Sequence, residues 1–219
     1  MLNDETPIDA RTSFPDGVTL LYAVFPYSGL KDGQTWKREW TRDGQAVPNL
    51  SRESTWSGGE SGVWWTSIND EDGIPTGNWQ YNLYLEGKLV QSAKFTVEKN
   101  PSGQPDFGPI TFAPDKDAND NPLDAVDIDA PLLPSDTNQI YAFFDGIDVP
   151  KGTKYSSQWY RNGEVYGSVG NYTWDDVPDG TTWLRLYTTS GNPFTAGVYE
   201  LRLSIGTRLV VLAVVTVEK

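Results

Sequence analysis

"LYAVFPYSGLKDGQTWKREWTRDGQ", residues 21–45, returns later in the same chain as "IYAFFDGIDVPKGTKYSSQWYRNGE", residues 140–164. At an offset of 119, Tyr22 falls on Tyr141, Phe25 on Phe144, Trp40 on Trp159, Arg42 on Arg161 and Gly44 on Gly163. A one-residue slip then pairs Trp65 with Trp183. At an offset of 120, "GNWQYNLYLEGKLVQSAKFTVEK" (77–99) matches "GVYELRLSIGTRLVVLAVVTVEK" (197–219). Self-similarity at a fixed period marks a repeated architecture. The chain therefore divides into two tandem homologous domains, residues 1–99 and 109–219. Residues 100–108, "NPSGQPDFG", carry the Pro and Gly of a short semi-rigid linker.

Each copy reads as a series of short strands. "VTLLYAVF" is rich in β-branched and aromatic residues. Asp43-Gly44 and Asn162-Gly163 are strong signals for two-residue hairpin turns. Trp79, Tyr81, Leu83 and Leu85 alternate inward, matched by Tyr199, Leu201, Leu203 and Ile205. Helical periodicity never persists. About seven strands in ~100 residues, with a Trp in the third, predict two tandem immunoglobulin-like or fibronectin III-like β-sandwiches, all-β and antiparallel. In "GNWQYNL" and "GVYELRL", Trp79 and Tyr199 hold the tyrosine-corner position. Tyr81 and Leu201 stand where an antibody domain places its second disulfide cysteine.

The 219 residues contain no histidine and no cysteine. That removes Ser-His-Asp and Cys-His triads, HExxH metal sites, thiolate nucleophiles and disulfides together. The Asp and Glu residues fall mainly in predicted turns, and the chain reads as non-enzymatic. A net charge of −13 repels nucleic acid and anionic lipid surfaces. No stretch approaches ~18 consecutive apolar residues, so no membrane insertion is expected. Residues 3–10 resemble residues 119–125, yet the second copy has "FGPITFAPDKD" ahead of that point and the first only two residues. The first domain thus reads as truncated, without its opening strand.

"PITFA", the 21–45 stretch, "TWSGGESGVWW" (55–65) and "GNWQYNLYLEGKLVQSAKFTV" resemble a β-sandwich module of bacterial extracytoplasmic multidomain proteins. Such modules often lie C-terminal to trypsin-like peptidase domains. The resemblance implies an accessory role outside the cytoplasm, extracellular or in the cell envelope, as spacer or protein-interaction module. It carries over no catalytic residue.

Three features are candidate sites. In "DKDANDNPLD" (115–124), the oxygens of Asp115, Asp117, Asn119, Asp120, Asn121 and Asp124 have the makings of a calcium loop. The sixth and twelfth positions, Asp120 and Val126, depart from the EF-hand pattern, and a polar loop between strands is the plainer reading. Trp64 has Thr182 as its counterpart. If Trp65 is buried, alternation turns Trp64 outward. With Trp36 and Tyr155 it would form a stacking platform, the basis of an alternative carbohydrate-binding reading. Finally, Val210, Leu212 and Val214 make the last strand apolar on both faces, where copy one has Val90, Ser92 and Lys94. Such a face needs a cover: the other domain, a neighbouring domain or protein partner, or a second copy in a homodimer.

Overall fold

The computed structural model describes the chain except Met1, Asp4, Glu5, Ile8, Asp9, Ile128 and Asp129. Those exceptions take in part of the expected N-terminal repeat remnant. The described elements are β1 (Leu2–Asn3), β2 (Thr6–Pro7), β3 (Ser13–Phe14), β4 (Leu20–Ser28) and β5 (Thr35–Arg42). They continue with β6 (Gln45–Ala46), β7 (Arg52–Thr55), β8 (Ser61–Asn69), β9 (Gly77–Leu85) and β10 (Lys88–Val97). The second half holds β11 (Asp106–Phe107), β12 (Thr111–Ala113), β13 (Asp115–Lys116), β14 (Pro122–Leu123), β15 (Leu132–Leu133) and β16 (Gln139–Ile147). It closes with β17 (Lys154–Arg161), β18 (Glu164–Thr173), β19 (Thr181–Tyr187), β20 (Gly197–Ile205) and β21 (Arg208–Val217).

These strands form two sandwiches built alike. One sheet of the first runs β3-β10-β9-β5, with β6 and β7 also on β5; in the second it runs β15-β21-β20-β17-β18. In both, the short strand before the core lies parallel to the last one, Ser13 opposite Thr96 and Leu132 opposite Thr216. The facing sheets differ. In the second sandwich β16 pairs β19 on one edge and β11 and β12 on the other. In the first, β4 pairs only β8 among the described residues.

The turns explain the register. Asp43-Gly44 (φ 50° and 80°) and Asn162-Gly163 (φ 50° and 84°) take positive φ at both positions. This is what a type I′ hairpin turn requires. The Asp43 and Asn162 side chains then accept from the Asn78 and Val198 amides at 2.9 Å, tying the hairpin to the start of β9 and β20. That close approach excludes a side chain next door: a Cβ on Gly77 would lie 2.8 Å from Asp43 Oδ2, and one on Gly197 2.8 Å from Asn162 Oδ1.

Each core is centred on the Trp of β5 or β17. Trp40 faces Tyr81 across the ladder and Trp159 faces Leu201, all four buried. The corner position is filled in both copies. Tyr199 Oη donates to the Thr195 carbonyl at 2.8 Å, and Trp79 Nε1 donates to the Pro75 carbonyl at the same distance. One geometry thus accepts either donor, because both rings stand over the chain entering the strand. Tyr199→Phe keeps the ring and loses the bond. It should cost the second sandwich about 1 kcal/mol in urea unfolding; an unchanged midpoint would mean the bond has no net value.

Candidate functional site

The acidic stretch folds as a small hairpin, Asp115 opposite Leu123 and Lys116 opposite Pro122. Its tip is closed by its own side chains. Asp117 Oδ1 accepts from the Asn119 and Asn121 amides at 2.8 Å, and Asn121 Nδ2 donates to Asp117 Oδ2 at 3.0 Å. These hydrogen bonds, led by the Asn121 side chain, hold the Asp117 carboxyl below its ordinary range. Lys116 ion-pairs with Asp120 and lies 4.8 Å over the Trp183 ring. No three acidic side chains are grouped to hold a metal ion among the described residues. Asp115, Asp117, Asn119, Asp120, Asn121 and Asp124, the residues of the expected calcium loop, all lie on this hairpin, where Asp117 accepts from turn amides and Asp120 pairs with Lys116. Of the oxygens that alternate along the sequence, both of Asp117 are engaged by the Asn119 and Asn121 nitrogens, and Asp115 Oδ1 accepts from the Lys116 amide.

The aromatic expectation is corrected in phase. Strand alternation holds, but Trp65 is the exposed member, at 48%, and Trp64 points inward. Trp64 packs 4.9 Å from Trp56 and 6.0 Å from Trp36, at steep interplanar angles. Tyr155 is likewise buried, against Phe107. Trp64 and Tyr155 pack on the cores of different sandwiches, and Trp36 is half-buried with its ring edge-on to Trp56 and Trp64, so the three rings do not form one flat sugar platform. The recurring pair Trp65 and Trp183 marks the outer face of the β4-β8 and β16-β19 sheets, where Trp65 meets Tyr22 and Trp183 meets Tyr141 edge-on. Recurrence in both copies signalled a shared position, not a shared core.

The last strand brings the two domains together. A bulge in the β20-β21 ladder at Val210 shifts the register, so Val211 opposes Leu203 and Leu209 opposes Ser204. Val210 is thereby turned into its own sandwich core, which corrects its expected place on the outer face. Leu212 and Val214 stay outward. Leu212 is 7% exposed because it joins the first sandwich's core cluster with Val18, Leu21 and Phe25. Glu200 beside it lies 4.0 Å from Arg11 of the first domain and also pairs with Arg202.

The linker is clamped from the same side. Arg208 donates to the Asn100 side-chain oxygen and to the Pro105 carbonyl, and its guanidinium lies 3.7 Å from Asp106. Burial away from water raises the Asp106 carboxyl from its ordinary 3.8 to about 6, against the pull of the Phe107 amide and Arg208. The folded state therefore holds this proton more tightly than the unfolded chain. Stability from this group falls as pH rises from about 4 to about 6 and is level above that. Asp106→Asn should flatten that part of the pH profile, measured as urea midpoints between pH 4 and 7. Parallel profiles would show that another group sets the slope.

One feature the sequence reading passed over is an open groove beside β4, lined by the consecutive residues Leu20 to Phe25. Its signal was present: six apolar residues in a row describe a strand covered on all sides.

The geometry defines an all-β tandem of immunoglobulin-like sandwiches with a structured junction. No family model and no curated protein matches the sequence. Among solved structures, it is similar to the FN1–FN3 domains of chicken CNTN1, at 12% identity and a TM-score of 0.31, covering 97% of this chain and 67% of that one. A chimeric titin Z1Z2–Z1Z2 tandem gives 13% and 0.27, covering 94% and 93%. The BSP domain of a biofilm-associated protein gives 17% and 0.27, covering 95% and 28%.

Proposed function

We propose that the chain is a non-catalytic accessory region of a larger bacterial extracytoplasmic protein, acting as a stiff spacer that also presents a protein-interaction surface. The observation that carries this reading is the junction: Leu212 inserted among Val18, Leu21 and Phe25, with Arg208 clamping the linker carbonyl of Pro105. A spacer transmits position only if its joints do not bend, and inter-domain motion is the default where the interface is not sizeable and apolar. The clustered polar groups have structural work instead of chemistry, as in the Asp117 turn. The motif resemblance supports placement outside the cytoplasm and attachment to a peptidase domain.

Small-angle X-ray scattering of the intact chain tests the reading. The profile should fit one fixed arrangement of the two sandwiches, and Leu212→Asp should convert it to a broad distribution of inter-domain distances. A wild-type chain that already scatters as two freely jointed bodies would end the spacer proposal.

A further inference from the structure

The two copies treat one sheet edge differently, and the difference lies well inside the chain. Between the turn glycine and the shared Thr-Trp pair, the first copy has ten residues (45–54) and the second nine (164–172). The first copy uses its extra residue to break the edge. β6 stops after two residues, and the Leu50 and Ser51 amides donate to the Val47 and Pro48 carbonyls. Val47 and Leu50 pack on the core before β7 resumes with the charged Arg52 and Glu53. Short strands, proline and charge are how proteins blunt an exposed edge.

The second copy uses none of the three. β18 runs unbroken for ten residues at the end of its sheet and pairs only with β17 among the described residues. From Val165 to Thr173 it has no charge and no proline, and Val165 and Val169 are 65% and 54% exposed. A bulge alone remains. With Gly167 at φ 77°, the ladder slips by two residues, from Ser157 opposite Gly170 to Trp159 opposite Tyr166.

The bonds already made decide which peptide groups face the open side. The two-residue hairpin pairs Glu164 with Arg161, which aims the Glu164 N–H and C=O inward. Beyond the bulge, the Trp174 amide donates to the Thr153 carbonyl, and the Trp174 carbonyl accepts from the Gly152 amide. Peptide groups alternate sides along an antiparallel strand. On both limbs, therefore, the even-numbered residues bond to β17, and Val165, Val169, Asn171 and Thr173 turn their N–H and C=O outward.

A strand with this pattern pairs with itself. In an antiparallel two-fold pair centred on Val169, Val169 meets Val169 of the second copy, Gly167 meets Asn171, Val165 meets Thr173 and Tyr166 meets Tyr172. Outward peptide groups then meet outward peptide groups. The bulges coincide at the axis, so the regular limb on one side meets the regular limb on the other. The tyrosines share a face on which Tyr172 already stacks on Tyr155 at 5.2 Å and Tyr166 meets Tyr199 edge-on at 5.4 Å. No charge opposes another along 165–173, which matters for self-approach by a chain of net charge −13.

We propose that the chain forms a two-fold dimer through β18, the edge being occupied by a second copy of this chain. An isologous contact demands a self-complementary surface, and the register about Val169 supplies it. The pairing involves the second sandwich alone, so it goes beyond the spacer reading and is tested separately from it. One strand pair is at the low end of specific interface size, so association is expected at about 0.1 mM rather than nanomolar.

Sedimentation of the intact chain up to about 1 mM, with amide hydrogen exchange alongside, tests this. The expected result is a monomer–dimer equilibrium, with protection at Val165, Asn171 and Thr173 rising with concentration. Val169→Lys and Val169→Glu each set like charges face to face and remove two buried valines, and each should weaken the dimer at least about tenfold. Mixing the two variants should restore association, because only a position that faces itself gains an opposite charge that way. Val169 is exposed in the single chain, so unchanged urea midpoints show that both variants remain folded. A chain that stays monomeric, a dimer indifferent to Val169→Lys, or no recovery on mixing overturns the proposal. Concentration-dependent protection at Tyr22–Val24 in place of β18 also overturns it, since another edge would then be the contact.

Discussion

Replacing Trp174 with alanine is expected to remove about 3–5 kcal/mol from the unfolding free energy of the second sandwich. The indole is 2% exposed and lies among Phe107 and Tyr155, and its Nε1 donates to the Val177 carbonyl at 2.9 Å. The chain around it cannot collapse into the space. Gly146 lies directly against the ring, where a Cβ would stand 2.7 Å from Trp174 Cζ2 and the same distance from the Pro178 carbonyl. A domain's whole stability is of order 5–15 kcal/mol, so the variant should be marginally folded at room temperature. Trp174→Phe should fall between, keeping a ring and losing the hydrogen bond. Urea unfolding followed by resolved second-domain amide signals measures both. Trp65→Ala is the contrast: that ring is half exposed and should cost less than about 1 kcal/mol. Equal losses at the two positions would contradict the burial that separates them.

Leu212→Asp should have the second large effect, on the junction. Leu212 points away from its own core, which Val211 and Ala213 serve, and into that of the first sandwich. Withdrawing the leucine forfeits about 1.5–3 kcal/mol of burial. An unpaired carboxylate in the same place costs several kcal/mol more, and Glu200 already brings negative charge nearby. The junction opens before that cost is borne in full. Calorimetry should then show two separated unfolding transitions, with the second sandwich near its original midpoint. The repeat supplies the control. Ser92, the counterpart of Leu212, is exposed on the outer face of β10 and donates to Asn82 Oδ1 at 2.9 Å, and Ser92→Ala, which loses that one bond, should leave a single transition within about 1 kcal/mol of wild type. A single unchanged transition in Leu212→Asp would show that the contact does not couple the domains.

The architecture was legible because its signals are local and doubled. Asp43-Gly44 and Asn162-Gly163 each force a turn, and Trp79 and Tyr199 each stand four residues past the carbonyl they bind. The candidate sites depended on which face a side chain takes, and local signals fix that less well. Alternation made Trp64 and Trp65 opposite, but their phase follows from Trp64 filling the space that β11 fills in the other copy. A single bulged residue moved Val210 from outer face to core while leaving Leu212 and Val214 in place. In the acidic hairpin, composition matched a cation loop, yet Asp117 is turned back on the Asn119 and Asn121 amides. The groove beside β4 was written as a run of six apolar residues. Seeing it as an opening required the completed copy for comparison.

The covered face of β21 also bears on how the chain is made. Synthesis delivers the first sandwich, ending at Val97, well before Arg208–Val217 emerges, and domains generally fold in that order. The segment "LVVLAVVTV", apolar, β-branched and uncharged, therefore appears last, when the surface that shelters Leu212 already exists. With the order of the two domains exchanged, that strand would emerge before the surface that covers Leu212 in the folded chain.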